Sequence, residues 1–472
     1  MFPFLGKTTP PKVNIKSVDI KPTRPESELV QLLKQRKPQV IPAPNKPITV
    51  AIIGAGARGG GYAHYALENR EWMQVVAVAE PVQARRERLA QTHKIPKEHV
   101  FNDWRELAEL PKFCDAVFIA TLDSQHYEPA IAFANLKYHI LLEKPMAPTL
   151  QECYRITQAA LNNQVVFAIG HVLRYTAHNK IIKQIIDYGV LGDIINIQHL
   201  EPVGFWHFAH SYVRGNWRKE SESCFSLMTK SCHDIDLIAQ WMDSPCVRIS
   251  SFGNLSHFKR EKKPAEAGTA TRCLDCAYEE KCHYSAKSIY LEPAKRGQKM
   301  WPISVLVDVV DIESVHEALR SGPYGRCVYE CDNDVVDHQV VNMEFANGAT
   351  ASCTMVAYTE AVCVRSTKIF GTKGQLECDG MDSIQFSDFV TGTREILKPS
   401  TITGMYDMRG HGGGDFALVE AFLKEIATES SRNGASDAFN SHLYVFAAEQ
   451  ARRTGTVVNI ENFKQQNQIN SI

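Results

Sequence analysis

A glycine-rich turn between a buried strand and a helix constrains the fold of this 472-residue chain more than any other feature. The segment ITVAIIGAGARGGGYAHYALEN begins at Ile48 and holds Gly54, Gly56 and Gly59 in the spacing G-x-G-x-x-G. The first glycine permits a tight turn, the second lets a pyrophosphate approach the backbone, and the third lets the helix pack closely on the strand. Free N–H groups at the start of such a helix favour phosphate, so the turn predicts a dinucleotide site.

The end of the next predicted strand bears on which dinucleotide binds. MQVVAVAEP carries Glu80, whose carboxylate can accept hydrogen bonds from ribose hydroxyls and would repel a 2′-phosphate. NAD is therefore favoured over NADP. NADP stays an alternative because Arg85 and Arg86 lie further along the chain. The alternative for Glu80 is a solvated acid at the end of a strand.

Strand and helix patterns alternate from residue 48 to residue 170. The apolar runs CDAVFIATL, YHILLEK and VVFAIGH alternate with the helical patterns YEPAIAFANLK and TLQECYRITQAALNN. Such continuous runs predict a parallel sheet covered on both faces, so we expect residues 48–170 to form an α/β Rossmann domain. Residues 1–47 hold nine of the 22 prolines and are expected to be an extended arm, with a short amphipathic helix around Glu26–Gln35.

The pattern changes over residues 171–460, where we expect a second, α+β domain on an open, mainly antiparallel sheet. QVVNMEF and ATASCTMVAY flank Asn347-Gly348, which is a strong hairpin signal, and STKIFGTKGQLECDG indicates further antiparallel strands. Residues from about 253 to 327 lack periodicity and resemble an insertion, and residues 461–472 form a tail. Helices are predicted near residues 178–188, 226–242, 415–428 and 441–453.

The composition argues against several classes of partner. The formal net charge is −1, which gives no electrostatic reason to expect nucleic acid or a membrane surface. No apolar run approaches the roughly 18 residues that span a bilayer. The N-terminal residues lack the pattern of a secretory signal, so the 13 cysteines are expected to be reduced thiols and the compartment to be the cytoplasm.

Three of these cysteines cluster in the predicted insertion. Cys273, Cys276, Cys282 and His283 form the pattern C-x-x-C-x-x-x-x-x-C-H. The C-x-x-C pair suits tetrahedral zinc, but a second ligand pair at the usual spacing is missing. Unpaired thiols are therefore expected, with a structural metal as the alternative, and no catalytic metal is expected.

A lysine at the end of a predicted strand is the first catalytic candidate. HILLEKPMAP ends its strand on Glu143, Lys144 and Pro145. A lysine there could reach the region of a nicotinamide ring, where desolvation lowers the pKa of its amine and allows proton exchange with a substrate hydroxyl. Pro145 favours an extended backbone at Lys144 and raises the chance of a cis peptide. A solvated lysine that opens a loop is the alternative.

A predicted helix in the second domain supplies the other candidates. In SLMTKSCHDIDLIAQWM, Thr229 and Lys230 lie on the same helical face as His233. Asp236 lies three residues beyond His233 and could orient its imidazole. The alternative is a histidine that is only part of the core.

Several motifs together resemble the glucose–fructose oxidoreductase/inositol dehydrogenase (Gfo/Idh/MocA) family. From about Ile48 to Ile460 the G-x-G-x-x-G turn, ATLDSQH, EKP, GHVLRY, LGDI and HDID occur in order. The resemblance implies a Rossmann domain followed by a larger α/β sheet domain, and association of subunits through that second sheet. It also implies NAD- or NADP-dependent oxidation or reduction of a secondary alcohol in a sugar, cyclitol or related polyol.

The resemblance also assigns residues by position. Lys144 corresponds to the catalytic lysine of EKP, and His233 to the histidine that commonly serves as general acid/base. Many members have an aspartate four residues before that histidine, where this chain has Thr229, so Lys230 is a candidate for part of that role. The predicted cofactor contacts are Gly54, Gly56, Arg58, Gly59, Glu80, Thr121, His126, Glu143 and Lys144. The predicted substrate contacts are Arg174, Tyr175, Trp217, Asp234 and His411, with packing or a surface loop as the alternative for several of them.

The leading hypothesis is an NAD(P)-dependent oxidoreductase in which Lys144 or His233 takes a hydroxyl proton while hydride passes to the nicotinamide. Its rivals are a non-catalytic dinucleotide-binding regulatory protein and an enzyme that cleaves glycosides through transient oxidation by bound NAD. Both candidate residues argue against the binding-only rival, and Thr229 argues mildly for it.

Overall fold

The computed structural model describes residues 27–35, 41–405, 409–429 and 434–470, and within them two β-sheets dominate the fold. The strands are β1 Ile48–Ile53, β2 Met73–Ala79, β3 Val100–Phe101, β4 Ala116–Ile119, β5 His139–Leu142, β6 Phe167–Ile169, β7 Ile194–Pro202, β8 Cys246–Asn254, β9 His338–Phe345, β10 Thr350–Val356, β11 Ser366–Gly371, β12 Gly374–Cys378, β13 Ile384–Asp388, β14 Arg394–Leu397 and β15 Val458–Asn459.

The helices are α1 Glu28–Gln35, α2 Ala57–Glu68, α3 Gln83–His93, α4 Trp104–Ala108, α5 Tyr127–Asn135, α6 Leu150–Asn162, α7 Ala177–Asp187, α8 Phe205–Phe208, α9 Ser226–Met242, α10 Glu292–Lys295, α11 Ile312–Ser321, α12 Pro399–Thr403, α13 Arg409–Gly412, α14 Gly414–Ala427, α15 Gly434–Thr454 and α16 Ile460–Gln466. No helix in the described ranges is both long enough and apolar enough to cross a membrane.

The first sheet is parallel and has the strand order β3-β2-β1-β4-β5-β6. The central strand β1 explains why the sequence contains continuous apolar runs. In β1, Ala51 and Ile53 pack into one hydrophobic cluster while Val50 and Ile52 pack into another, so both faces are covered. The predicted α/β Rossmann architecture is confirmed, and β3 and α4 are additions that the sequence patterns did not indicate.

The second sheet has the order β14-β13-β12-β11-β7-β10-β9-β8-β15. Its paired strands run antiparallel except β7 and β10, which are parallel. β9 and β10 form the predicted hairpin, and Gly348 in its turn has a φ of +84°. The predicted open, mainly antiparallel sheet is therefore confirmed.

Two C-terminal helices connect the sheets. Leu418, Val419 and Phe422 of α14 join the same hydrophobic cluster as Val50 and Ile52 of β1. α15, which begins at Gly434 rather than near the predicted 441, contacts β6 and α6 on one side and β8 and α9 on the other. The carboxyl ends of the first sheet thus face α9 of the second.

The predicted segment boundaries at residues 47, 170 and 460 stay predictions. Within the predicted arm, α1 occupies Glu28–Gln35, and residues 1–26 and 36–40 lie outside the described part of the chain. The segment between β8 and β9 holds only α10, α11 and short single-turn helices. α16 extends into the predicted tail.

Candidate functional site

The glycine turn has the geometry that its spacing predicts. Gly54 has a φ of +89°, and a Cβ there would lie 2.6 Å from Ala120 O. A Cβ on Gly59 would lie 1.9 Å from Gly54 O, whereas one on Gly56 would meet nothing within 4 Å. Gly56 is also the N-cap of α2 and no side chain caps that helix. The turn therefore offers open space and uncapped helix N–H groups, which fit a dinucleotide phosphate.

Glu80 lies directly after β2 and supports the turn. Its Oε2 accepts a hydrogen bond from Ala55 N (2.7 Å) and its Oε1 accepts one from Val82 N (2.9 Å). The carboxylate is buried, so the alternative of a solvated acid is wrong. Arg86 Nη1 donates to the carbonyls of Glu80 and Pro81, so its guanidinium is held at the strand end by the backbone.

Arg58 and Glu143, predicted as separate cofactor contacts, belong to one ion-pair network. Arg58 Nε donates to Glu143 Oε1 (2.6 Å), and its terminal nitrogens donate to both Asp415 oxygens (2.9 and 3.0 Å). Tyr62 Oη accepts from Arg58 and donates to Glu143. His411 Nδ1 lies 3.0 Å from Asp415 Oδ1. The network fastens α2 to the end of β5 and to α14, so these groups are partnered by the protein itself.

The charges in this network set the ionisation of Glu143. Burial alone would raise the pKa of its carboxyl, but the positive charges of Arg58 and Lys144 and the hydrogen bond from Tyr62 hold that pKa below its ordinary value. Glu143 Oε2 also accepts a hydrogen bond from Lys144 N (2.9 Å). An ionised Glu143 thus fixes the backbone at the start of the catalytic candidate.

His126, predicted to contact the cofactor, joins two loops at the carboxyl ends of the first sheet, and the cofactor contact stays a prediction. It is fully buried, with Nδ1 at 2.7 Å from Pro145 O and Nε2 at 3.3 Å from Thr121 O. Both ring nitrogens therefore face backbone carbonyls of the two loops that they join. Thr121 is half-buried, and its hydroxyl donates to Gln125 O.

Lys144 reaches across from the first sheet to the second. Its Nζ donates to Thr229 O of α9 (2.8 Å) and lies 5.6 Å from the centre of the Trp217 ring. Trp217 Nε1 in turn donates to Asp123 Oδ2 (2.8 Å), which also accepts from Ser223 Oγ (2.6 Å). The structure therefore brings two predicted site residues, Lys144 and Trp217, together at the start of α9. The Lys144–Pro145 peptide is cis.

His233 lies one helical turn beyond Thr229 on α9, and only 6% of the residue is exposed. Its ring centre is 5.6 Å from that of His171, and its Nδ1 is buried without a hydrogen-bond partner among the described residues. Burial, together with the positive charge of Lys144, lowers the pKa of His233 well below its ordinary value. The imidazole is therefore neutral at neutral pH and can accept a proton.

Asp236 does not orient His233 as predicted. Its Oδ2 accepts from Arg174 Nε (2.5 Å), its Oδ1 accepts from Arg174 Nη2 (2.6 Å), and His171 Nδ1 lies 2.9 Å from Oδ1. Burial would raise the pKa of Asp236, but the charges of Arg174 and His171 hold it well below the ordinary value. The same contact pairs the Arg174 guanidinium with Asp236, and the predicted contact of Arg174 with substrate stays a prediction.

Asp234, predicted to contact substrate, is fully buried beneath the site. Its Oδ1 lies 3.0 Å from His199 Nε2 and 3.0 Å from Arg365 Nε. Burial would raise the pKa of Asp234, but the Arg365 charge and the His199 contact hold it well below the ordinary value. Asp234 therefore balances charges at the second sheet through Oδ1, while its Oδ2 has no hydrogen-bond partner among the described residues, and the predicted substrate contact stays a prediction.

Lys230 is paired with an acid of the second sheet, and its predicted part in catalysis stays a prediction. Its Nζ lies 3.2 Å from Glu201 Oε1 on β7 and donates to Cys363 Sγ (2.8 Å). Burial would lower the pKa of Lys230, but the Glu201 charge raises it above the ordinary value. Thr229, its neighbour, is fully buried and meets Lys144 through its backbone carbonyl rather than its side chain.

The remaining predicted substrate contacts lie at the edge of this arrangement. The Tyr175 ring lies 6.0 Å from Lys180 Nζ and packs against the hydrophobic cluster under the first sheet. The side chain of His411 is 46% exposed, and its charge contributes to the lowered pKa of His233. His411 thus belongs to the surroundings of His233, whereas Tyr175 belongs to the packing of the first sheet.

Sequence reasoning missed four residues that organise the site: Asp123, His171, Glu201 and Asp415. Asp123 and His171 each follow a strand of the first sheet and lie within the motifs ATLDSQH and GHVLRY, so their position was an available signal. Glu201 is a buried acid near the end of β7, beside the buried Pro202. Asp415 lies in the first turn of α14 and binds Arg58.

Two family models match most of the chain. Residues 48–171 match the GFO_IDH_MocA model, described as oxidoreductase family, NAD-binding Rossmann fold. Residues 183–460 match the GFO_IDH_MocA_C model, described as oxidoreductase family, C-terminal alpha/beta domain.

Individual proteins of similar sequence are also named as oxidoreductases or dehydrogenases. The chain is 24% identical over 336 residues to YteT of Bacillus subtilis (strain 168), an oxidoreductase by name, which covers 67% of this chain and 76% of YteT. It is 27% identical over 146 residues to inositol 2-dehydrogenase of Salmonella agona (strain SL483), covering 31% of this chain and 43% of that enzyme. Less than half of that dehydrogenase is therefore matched.

Among solved structures, levoglucosan dehydrogenase in complex with NADH and levoglucosan superposes with a TM-score of 0.64 at 19% identity, covering 88% of this chain and all of that chain. Aldose–aldose oxidoreductase from Caulobacter crescentus gives 0.62 at 15% identity, with the same two coverages. At these identities the similarity shows the shared fold.

Proposed function

The chain belongs to the Gfo/Idh/MocA family of oxidoreductases, and from that premise we propose that it transfers hydride between NAD and a secondary alcohol of a sugar, cyclitol or related polyol. One observation carries the proposal. The amine of Lys144, at the end of β5, is bound to Thr229 O one helical turn before a neutral, buried His233.

The cofactor would be held at the carboxyl ends of the first sheet. The open position at Gly56 and the uncapped start of α2 receive the pyrophosphate, and the Glu80 carboxylate lies at the end of β2, where a ribose binds in this fold. Each Glu80 oxygen keeps a second lone pair for a ribose hydroxyl. Bound NAD supplies the hydride acceptor.

His233 and Lys144 divide the proton chemistry in this proposal. The neutral imidazole of His233 accepts the hydroxyl proton of the substrate. The Lys144 amine uses one hydrogen bond on Thr229 O and retains others for the substrate oxygen, where negative charge develops as the proton leaves. The backbone carbonyl of Thr229 also explains how Lys144 is positioned without the usual family aspartate.

The polyol class follows from the surroundings of Lys144. The Trp217 ring, fixed by Asp123, presents an aromatic face beside the amine. Such a face suits the C–H surface of a sugar or cyclitol ring, while the amine and imidazole suit its hydroxyls. Relatives named inositol 2-dehydrogenase and levoglucosan dehydrogenase support the same class of substrate.

In the decisive experiment, the purified full chain is incubated with NAD and a panel of cyclitols, aldoses and anhydrosugars. We expect the absorbance of reduced nicotinamide to rise with at least one polyol, and to fall on addition of the matching ketone with NADH. NAD binding without NADH formation from any polyol would instead favour the binding-only rival. Release of a glycoside leaving group without net NADH would favour the glycoside-cleaving rival.

We also propose that copies of the chain associate through the second sheet. β9 alternates buried and partly exposed residues, so one face of this sheet is open, and Phe252 on β8 is an exposed apolar side chain. Light scattering of the eluted protein should give a multiple of 53.0 kDa. A monomeric mass would refute this part of the proposal.

A further inference from the structure

The segment between β8 and β9 has little regular structure to stabilise it. Residues 255–337 contain only α10, α11 and single-turn helices, and their apolar side chains divide between two small clusters. Small cores supply little stability, and a metal or a disulfide can add to it. Five of the thirteen cysteines fall within it, although it is less than a fifth of the chain.

Four of these cysteines line one small cavity: Cys273, Cys276, Cys282 and Cys327. Cys276 N donates to Cys273 O, so the C-x-x-C pair forms a tight turn. Arg272 and Arg326 form an isolated antiparallel bridge, Cys327 N donates to Thr271 O (2.8 Å), and Cys273 Sγ lies 3.9 Å from Arg326 O. Cys273 and Cys327 therefore lie diagonally across this bridge. The partner that the sequence spacing lacked is therefore Cys327, more than 40 residues away.

A buried positive charge lines the same cavity. Arg214 is 1% exposed; its Nε donates to Arg326 O, and its Nη2 donates to Tyr284 O and lies 3.4 Å from Cys273 Sγ. Its Nη1 is buried with no hydrogen-bond partner among the described residues, and Glu279, a carboxylate that lines the same cavity, is bound instead to Ser285 and Lys287. An uncompensated buried charge is strongly unfavourable, so this guanidinium indicates that negative charge belongs in the cavity.

We propose that Cys273, Cys276, Cys282 and Cys327 bind one zinc ion as thiolates, with Arg214 balancing the excess negative charge. Each thiol releases one proton and forms one sulfur–zinc bond, so the centre carries a net charge of about −2 without any redox change. In the described ranges no three His, Cys, Asp or Glu side chains already stand at metal-binding distances, so the proposal requires the four sulfurs to move inward when the ion binds. The centre then serves as a cross-link that adds to the stability of the small cores of this segment.

The test measures metal in the full chain purified with zinc present. We expect about one zinc per chain, and after replacement by Co²⁺ the intense visible and near-ultraviolet bands of a tetrahedral thiolate complex. The variant Cys276→Ser/Cys282→Ser should retain less than about a tenth of this metal, because only two sulfurs remain. Cys378→Ser, a buried cysteine at the end of β12, is the matched control and should keep the full amount.

Other outcomes overturn the proposal. These are a zinc content below about a tenth per chain after reconstitution, a Co²⁺ spectrum without thiolate bands, or equal metal loss in the Cys378→Ser control. If the double variant fails to fold, the Co²⁺ spectrum of the unmodified chain decides the question alone. Disulfide bonds between these cysteines are the remaining alternative to a zinc site. Counting thiols in denaturant without reductant detects them, because disulfides would give fewer than the thirteen free thiols of the structure. None of these measurements depends on NAD reduction.

Discussion

Replacing Lys144 with methionine tests the proposed reaction most directly, because it keeps the length of the side chain and removes its charge. The wild-type amine donates to Thr229 O (2.8 Å) and lies 5.6 Å from the centre of the Trp217 ring. A methionine keeps contact with that ring but leaves the carbonyl without its donor. We expect a destabilisation of about 1 kcal/mol, which is small against the stability of a folded domain.

The effect on turnover should be much larger. A lost donor at a site of developing negative charge costs about 100- to 1,000-fold in kcat, or roughly 3–4 kcal/mol of transition-state stabilisation. The affinity for NAD should stay within about twofold, because the phosphate-binding turn is untouched. The rate of NADH formation with the best polyol, followed by absorbance, gives kcat. Calorimetric titration with NAD gives the affinity for the cofactor.

A second measurement of the same variant does not depend on turnover. The positive charge of Lys144 helps to lower the pKa of His233, so its removal stabilises the imidazolium and the pKa must rise toward the ordinary value of about 6.5. NMR titration of the histidine ring signals detects the rise, and the chain with His233→Gln identifies the correct signal among the 17 histidines. The acid limb of the kcat/KM profile should move to higher pH in parallel.

Lys424→Met is the matched control for both measurements. Lys424 Nζ also lies over a tryptophan ring, 5.9 Å from the centre of Trp72, and pairs with Glu420 far from α9. Its replacement should leave kcat and the His233 titration unchanged. The reasoning is refuted if Lys144→Met turns over within threefold of the unmodified chain, or if the pKa of His233 does not move.

Two further predictions concern charge and backbone geometry. Asp236→Asn leaves Arg174 without its buried carboxylate and should lower the free energy of unfolding in urea by about 3–5 kcal/mol at pH 7; a loss below about 1 kcal/mol would contradict the buried pair. The folded-state pKa of Asp236 lies below its unfolded value of about 3.9, so this stabilisation is present above about pH 4 and is lost as the pH falls further. The free energy of unfolding of Asp236→Asn should therefore fall less in acid than that of the unmodified chain. Gly59→Ala would place a Cβ 1.9 Å from Gly54 O and should weaken NAD binding at least about tenfold by titration calorimetry, whereas Gly60→Ala meets nothing within 4 Å and should bind NAD normally. Equal affinities of the two glycine variants would refute the geometric argument.

The sequence predicted the parts of the fold that depend on local pattern. The run at β1 is buried on both faces, and the Asn347-Gly348 pair turns a hairpin, so both could be recognised within a dozen residues. The two-residue β3 and the five-residue α4 were missed because they are too short to show a period. The packing of α14 on the first sheet depends on a contact across more than 350 residues, which no local pattern encodes.

The same limit explains the errors at the site. Helical spacing correctly put Asp236 near His233 along α9, but spacing cannot show which distant groups compete for a carboxylate. His171 and Arg174, carried to α9 by the end of β6, are the stronger partners. A charged residue in a buried helix pairs with the oppositely charged group that the fold places beside it, and that group comes from a distant part of the sequence.

The surroundings of His233 suit it to both the proton transfer and the charge that this transfer leaves on the substrate. Burial and the positive charge of Lys144 disfavour protonation of the imidazole, so it is available as an acceptor before the substrate binds. When the hydroxyl proton leaves, the charge of Lys144 also stabilises the alkoxide that remains, which partly compensates for the low basicity of His233. The buried carboxylates of Asp234 and Asp236 cannot reverse this bias, because each is paired with its own cation beneath the site. The environment therefore favours a short-lived alkoxide facing a hydride acceptor, which is the state that oxidation of an alcohol requires.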